Sequence, residues 1–473
     1  MTAATARQAD PAAALAETSA APSPAGPVSD DVAIRMPPDR PGSRLAHTLR
    51  FVRDPLEYNL AAQDRLGDVW QIKLMNRAKP FVVTSHPDHV KSLFSAKPQE
   101  APSLAGESPL RPILGPDSVL TSVGARHMRQ RRLLLPPFHG EAVQRYVEMI
   151  AEVAQREIER WPVNEPFALA PRMQAVTLDV IMSGVFGIGP RPRRGTAEYG
   201  LRQTIRRMLA VSALPLYQLV ELQNAGRQDA RGLLRAVLAI VDRQMNALIA
   251  ERRAAADHER HDVLSLLLQA RDEEGQPLTD HELRDELMTL LLAGHETTAN
   301  SLAWCFERLL RTPVAYDRLR EVVRAGGEEA EAYVEATIHE GMRVRPVIPM
   351  IIRLARPRWR LGDYVLEADM PVAISIAALH HRQDVYPQPY SFRPERFLES
   401  KPGTYTWIPF GGGIRRCLGA TLAMAEQRVV LRAIAQRTDL RAPDQEPEQP
   451  RQRNVTMIPR HGGQVIVSRK LAA

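Results

Sequence analysis

Phe410-Gly411-Gly412-Gly413-Ile414-Arg415-Arg416-Cys417-Leu418-Gly419 carries the densest chemical signal in the chain. Three successive glycines oppose helix formation, so the run reads as a loop whose backbone approaches something closely. Cys417 then opens a helical pattern, Leu418–Arg432. A cysteine at a helix start faces unpaired N–H groups and the positive end of the helix dipole, both of which favour a thiolate. Arg415 and Arg416 add positive charge. This is a way to build a sulfur anion that ligates a metal. A lone cysteine is ordinarily a buried structural residue, and the run by itself leaves that open. A phosphate loop would end in Gly-Lys-Ser/Thr, which this run lacks.

Upstream, Thr279-Asp280-His281-Glu282 has the form of a capping box, and Thr312-Pro313 forms a stop. The 33 residues from Thr279 to Arg311 predict a helix of roughly 50 Å at about 1.5 Å per residue. Its ends are apolar (Leu287, Leu291, Leu302, Leu309), but its centre reads Ala293-Gly294-His295-Glu296-Thr297-Thr298. Glycine, β-branched residues and a carboxylate there oppose helix propensity. Leu290, Ala293, Gly294, Thr297 and Ser301 fall on one face, which presents small side chains and a hydroxyl. Thr297 can also bond the carbonyl of Ala293 and distort the helix. A kinked core helix with a satisfied polar patch is the plainer alternative. His295-Glu296 begins a zinc-protease motif, but Ala299 stands where the second histidine belongs.

The remainder of the chain predicts a mainly α protein with small β-sheets. Strand patterns occur at Asp68–Leu74 and Phe81–Ser85, at Trp359–Glu367 and Pro371–Ala377, and at Val455–Ile458 and Gln464–Ser468. The last two are expected to pair through Gly462-Gly463. Residues 1–36 read as an Ala/Pro-rich disordered tail with too little apolar bulk to offset its ordering entropy. Residues 37–473 read as one domain.

Of 473 residues, 44% are hydrophobic and 25% charged, which is the globular range. Two cysteines, Cys305 and Cys417, exclude a disulfide framework and a multi-cysteine zinc site. No apolar run is long enough to span a bilayer and no secretory signal is visible, so a cytoplasmic protein is expected. The net charge is +7, but only six of the 62 basic residues are lysine and the arginines alternate with acids. Without a basic stripe interleaved with aromatics, nucleic-acid binding is not expected.

Phe410, Gly413, Arg415, Cys417 and Gly419 together resemble the haem-ligand loop of the cytochrome P450 family. Three more motifs follow that family's order. Glu340-Gly341-Met342-Arg343 is similar to its Glu-x-x-Arg, and the following Val344-Arg345-Pro346 distinguishes it from Glu157/Arg160 and Glu321/Arg324. Phe392-Arg393-Pro394-Glu395-Arg396-Phe397 resembles its Pro-Glu-Arg-Phe stretch. Ala293 to Thr298 resembles its oxygen-binding segment. His127-Met128-Arg129-Gln130-Arg131-Arg132 resembles a helix that contacts the haem propionates, with His127 where many members carry Trp.

The resemblance, over roughly residues 37–470, implies haem b held between the long helix and the cysteine loop. Cys417 would be the axial ligand, with Phe410 beside the sulfur and Gly413 allowing close approach to the porphyrin. His127, Arg131, Arg353 and Arg415 would face the propionates, and Glu340, Arg343 and Arg396 would form a buried bracing network. Thr297 and Glu296 would manage protons during O2 activation. The implied reaction inserts one O2-derived oxygen atom into a terpenoid, steroid, fatty acid or polyketide-like substrate. Electrons would come ultimately from NAD(P)H through a separate ferredoxin and its reductase, or a flavodoxin. Arg416, Arg126, Arg129 and Arg132 would supply a basic face for the donor, and a monomer is expected. The pocket would draw on Leu104–Leu120, Met208–Leu222, Val347–Ile351 and Val455–Met457, with Leu120, Ala293, Gly294, Val347, Ile348, Ile351 and Val455 on its walls. A coupling oxidase that inserts no oxygen, or a non-catalytic binder of haem or lipophiles, remains open from sequence.

Overall fold

The computed structural model describes residues 23–75, 79–212, 220, 223–224, 227–255 and 259–471. The chain opens with β1 (Ala25–Pro27), α1 (Arg44–Arg53), α2 (Pro55–Leu66), β2 (Val69–Ile72), β3 (Phe81–Thr84) and α3 (Pro87–Ser95). Helices then dominate: α4 (Arg111–Leu114), α5 (Gly124–Leu134) and α6 (Glu141–Ile158), then β4 (Pro166–Ala168), α7 (Leu169–Gly184) and α8 (Ala197–Ser212). Next come α9 (Gly232–Ala255), α10 (Val263–Gln269), α11 (Asp280–Leu310), α12 (Pro313–Ala325) and α13 (Glu328–Val344). The C-terminal third holds β5 (Met350–Ala355), β6 (Trp359–Leu361), β7 (Tyr364–Leu366), β8 (Met370–Ser375), α14 (Ile376–Leu379) and α15 (Arg396–Glu399). It ends with α16 (Ala420–Arg437), β9 (Thr438–Arg441), β10 (Pro450–Arg453), β11 (Thr456–Pro459) and β12 (Gln464–Lys470).

Helix α11 forms where its caps predict. The Thr279 hydroxyl accepts the Glu282 N–H at 3.2 Å, and the Glu282 carboxylate accepts the Thr279 N–H at 2.9 Å. Beyond Leu310, Pro313 starts a new helix because it cannot donate to the old one. The polar centre does not break α11, which is helical throughout its 31 residues. The reason is tertiary. Ile150 and Val153 of α6, Met173, Val176 and Val180 of α7, and Val430, Leu431 and Ile434 of α16 pack with Ala299, Leu302 and Phe306 in one buried cluster. Each fully buried aliphatic or aromatic side chain there contributes about 1.5–3 kcal/mol.

Among the described residues four sheets flank the helices, in strand orders β1-β6-β7, β2-β3-β8-β5, β4-β12-β9 and β10-β11. The hairpin expected near residues 68–85 is present, Val69 to Thr84 through Ile72 to Phe81. Two expectations are corrected. β11 and β12 do not pair with each other: β11 pairs with β10, and β12 lies between β4 and β9. Gly462 and Gly463, both with positive φ, turn the chain out of one sheet into another. There the carbonyls of Gly463 and Gly462 accept the N–H groups of Leu169 and Ala170 at 3.1 and 2.9 Å. The second correction is the tail boundary at residue 36. Residues 25–27 are strand, paired with Leu361 to Trp359, because an open sheet edge satisfies backbone groups whatever the side-chain composition.

Candidate functional site

A cavity of about 560 Å3 lies between α11, the Cys417 loop, α5 and the segment 347–351. Ala293, Gly294 and Thr297 face it from α11, as their shared helical spacing predicts. Leu120, Val347, Ile348, Ile351 and Val455 also line it, as do Leu110, Ile113, Leu114, Met208 and Leu209. The expected contribution from 213–219 and 221–222 lies outside the described residues.

The Cys417 loop is built by its glycines. Gly411 and Gly413 have φ of +66° and +61°, and a Cβ on Gly413 would sit 2.5 Å from the carbonyl oxygen of Phe94. Gly413 is therefore required where the loop passes the backbone of α3. The loop closes where the Cys417 N–H donates to the Phe410 carbonyl at 2.9 Å. Phe410 is held edge-on by Trp407, with ring centroids 6.1 Å apart.

Cys417 faces the cavity. It does not open the helix: α16 starts at Ala420 with Gly419 as its N-cap. Burial within the fold pushes the Cys417 thiol above its ordinary value, while the Gly419 N–H, Arg131 and Arg416 pull it down. The helix-end effect expected from sequence is thus outweighed by desolvation, and a bound cation would be needed to tip the sulfur to thiolate.

Among the groups on the cavity wall that bear positive charge or can acquire it are His127, Arg131, Arg353 and Arg415. Burial depresses Arg353 to about 10. Burial and then the charges of Arg353 and Arg131 bring Arg415 to about 10. Burial followed by Arg415, Arg131 and Arg353 takes His127 to about 3. Main-chain carbonyls hold the guanidiniums: Arg131 donates to Arg416 O at 2.7 Å, Arg353 to Ile352 O at 3.1 Å, and Arg415 to Val119 O and Ser122 O at 3.1 and 2.6 Å. Among the described residues no ion pair joins these groups to a carboxylate. Three guanidiniums gathered without an acid repel one another, an arrangement that a dianionic ligand would relieve. With a sulfur on the same wall, the residues fit an iron porphyrin carrying two carboxylates.

The predicted bracing network is present. Arg343 bonds both carboxylate oxygens of Glu340, at 2.7 and 2.8 Å, and Arg396 reaches Glu340 at 3.1 Å. The Arg393 N–H also donates to Glu340 at 2.8 Å. Sequence reading missed the link from this network to the cysteine loop. Arg343 donates to the carbonyl of His380 at 2.8 Å, and the His380 ring accepts the Ile408 N–H at 2.9 Å. The Ile408 carbonyl in turn accepts the Gly411 N–H at 2.9 Å. His380, taken to about 3 by burial and by Arg343, is neutral and so able to accept. The only signal in the sequence was the pair His380-His381 within an apolar stretch.

On α11 the Thr297 hydroxyl bonds the Ala293 carbonyl, as its spacing predicts. Gly294 packs on α7, where a Cβ would meet Ile181 at 3.0 Å. Glu296 pairs at 3.6 Å with Arg453 from the β10–β11 hairpin, a partner not legible in the sequence. Glu426, on the cavity wall, is raised by burial to about 8. The expected basic face is corrected: Arg126 pairs with Asp117, Arg129 with Asp272 and Glu282, and Arg132 with Glu273. Asp117 and acids of the 272–282 segment neutralise these three. Arg416 has no carboxylate partner among the described residues.

Buried histidines set a pH dependence. His89, His127 and His380 are depressed to about 3, and His295 and His339 to about 4, each chiefly by burial. Between those values and about 6.5 the unfolded chain binds more protons, so stability falls as pH drops through that window. Glu426 and Glu286, with Asp54, Glu157 and Asp285, are raised chiefly by burial and act in the opposite sense above their unfolded values. The haem-free protein is expected to lose about 1 kcal/mol per such histidine per pH unit below 6.5, less the contribution of these acids. Denaturant midpoints at pH 6.5 and 5.5 measure this, and an unchanged midpoint would contradict it.

The family model described as Cytochrome P450 matches residues 37–467. The chain is 38% identical over 388 residues to "Putative cytochrome P450 137" of Mycobacterium tuberculosis, covering 79% of this chain and 78% of that protein. It is 36% identical over 436 residues to "Putative cytochrome P450 135B1" of Mycobacterium bovis, covering 90% and 91%. The retinoic acid-bound cyanobacterial CYP120A1 superposes with a TM-score of 0.76 at 22% identity, over 93% of this chain and all of that one, a likeness of fold. No described helix is long and apolar enough to cross a membrane. With the fold, the cysteine loop and these matches in agreement, the chain belongs to the cytochrome P450 family.

Proposed function

We propose that this haem-thiolate monooxygenase inserts one oxygen atom from O2 into a bulky or flexible aliphatic molecule of terpenoid, steroid, fatty-acid or polyketide type. Its family assigns it haem b, O2 and electrons originating in NAD(P)H. The observation that carries the substrate reading is the cavity wall. It is mainly apolar, with aliphatic side chains from Leu110 and Ile113 through Met208 and Leu238 to Ile348 and Val455, the rings of Phe138, Tyr146 and Phe410, and polar side chains chiefly from α11 and α16. Apolar walls with few polar groups suit a lipophilic ligand.

Bound haem supplies the thiolate-ligated iron whose electron density favours O–O cleavage. The protein's residues do the rest. Cys417 is the ligand. Arg131, Arg353, Arg415 and His127 hold the two carboxylates, and with an anion beside it His127 regains the ability to be cationic. The Thr297 hydroxyl, resting on Ala293, can turn its proton into the cavity. Glu296 supplies that hydroxyl from solvent, its carboxylate steadied by Arg453. The aliphatic walls keep bulk water from the reacting atoms.

Thr297→Ala is expected to leave haem bound but to divert most reducing equivalents to peroxide, lowering product per NAD(P)H by about tenfold or more, since a positioned proton donor contributes roughly 10²- to 10⁴-fold to its step. Product and peroxide yields measure it, and unchanged coupling would remove Thr297 from that role. A compound library screened for the spin-state shift on binding tests the substrate reading. Aliphatic hits support it, and hits confined to small polar aromatics overturn it.

The electron donor is a separate ferredoxin or flavodoxin, docking outside the cysteine loop. A second depression there is lined by Phe94, Lys401, Trp407 and Arg416. Charge complementarity mainly raises the association rate. Arg416→Glu is accordingly expected to slow reduction and flatten its salt dependence, and an unaltered rate at low salt would remove Arg416 from that surface.

A further inference from the structure

Asp285 and Glu286 are consecutive buried carboxylates near the start of α11 that play no part in the chemistry above. They point at the loop of residues 115–122, not at solvent. Asp285 accepts the N–H of Asp117, and Glu286 the N–H of Val119, both at 2.9 Å. Between them the hydroxyls of Ser118 and Thr289 lie 2.6 Å apart. Thr289 donates its only proton to the Asp285 carbonyl at 2.7 Å, so Ser118 must be the donor to Thr289. Gly115 completes the fit: at φ +89° a Cβ there would lie 2.1 Å from the Asp285 carboxylate.

The opposite side of the same backbone holds Arg415. Val119 O and Ser122 O are its two acceptors, at 3.1 and 2.6 Å. Val119 thus receives Glu286 through its N–H and Arg415 through its carbonyl. Side chains of this loop, Val119 and Leu120, also form cavity wall.

We propose that Asp285 and Glu286 are positioning residues for Arg415, acting through the main chain of residues 117–122. A single stretch of backbone then sets both the guanidinium that faces the haem carboxylate and one apolar wall of the substrate cavity. The inference rests on the reading of Arg415 as a haem-carboxylate partner. Glu286→Gln keeps a carbonyl oxygen where the Val119 N–H needs it. Glu286→Leu leaves that N–H buried and unpaired, which loosens the loop.

The test is the rate of haem transfer from the holoprotein to apomyoglobin, together with amide exchange at residues 117–122. Glu286→Leu is expected to lose haem about tenfold faster and to lose protection at Val119, while Glu286→Gln stays within about twofold of the parent. In an Arg415→Ala background Glu286→Leu should add little, because the two act in series. Full additivity, or unchanged haem loss in Glu286→Leu alone, overturns the proposal. If Arg415→Ala itself leaves haem loss unchanged, the reading of Arg415 fails, and the proposal with it; the single variants tell the two failures apart. Thr289→Val, near-isosteric but lacking both the acceptor for Ser118 and the donor to the Asp285 carbonyl, carries the same test if Glu286→Leu does not fold. A two- to threefold faster haem loss then supports the proposal, and no change opposes it.

Discussion

Glu340→Ala is expected to prevent accumulation of folded, haem-loaded protein. Glu340 and Arg343 have no solvent exposure, and Glu340 receives Arg343, Arg396 and the Arg393 N–H. Removing the carboxylate leaves the Arg343 guanidinium buried without its counter-charge and Arg396 without its only carboxylate among the described residues. Stranding one partner of a buried pair costs about 3–5 kcal/mol. Total stability of a domain is about 5–15 kcal/mol, so this is a large share. The damage also reaches the site, because Arg343 holds the carbonyl of His380, whose ring positions Ile408 and through it Gly411. Denaturant midpoint and the haem-to-protein ratio after purification measure both effects. A variant with parental values would show that the network does not brace the loop.

Cys417→Ser is expected to keep the fold and to reduce product formation below detection. The loop's shape depends on the Cys417 N–H bond to Phe410, on the glycine conformations and on the Gly413–Phe94 contact, none of which involves sulfur. Serine differs by one atom, so the backbone should be retained. The hydroxyl is a poor thiolate substitute, and the electron donation that favours O–O cleavage is lost. The guanidiniums remain to hold the porphyrin carboxylates, so partial haem retention is expected with an altered visible spectrum. Product formed at the parental rate would contradict the assignment of the ligand.

Elements whose determinants are local were legible in the sequence. The capping box and Pro313 delimit α11 to within a residue, and the 3.6-residue period brings Ala293, Gly294 and Thr297 to one face. Glu340 and Arg343 are helix neighbours three apart, but Arg396 was found only through its motif, since its bond to Glu340 spans more than fifty residues and no periodicity encodes it. What depended on distant backbone was not legible. β1 pairs with a strand over 300 residues away, and β10 claims β11 because the two-residue turn at Asn454-Val455 is tighter than the connection through Gly462. The contact of Gly413 with the Phe94 backbone is likewise distant and had no local signature. Asp285 and Glu286 read as ordinary charges on a helix. Their role rests on main-chain N–H groups of a loop, which carry no side-chain signature. The expected low thiol value at Cys417 assumed that helix α16 began there; Leu418 and Gly419 separate it from the helix.

The most direct test of the account is the visible spectrum of the purified, dithionite-reduced protein under carbon monoxide. Anionic sulfur from Cys417 on haem iron predicts the long-wavelength Soret band characteristic of a thiolate-ligated carbonyl complex, present in the parent and absent in Cys417→Ser. A band at the position given by histidine-ligated haem, in freshly prepared parent protein, would contradict it.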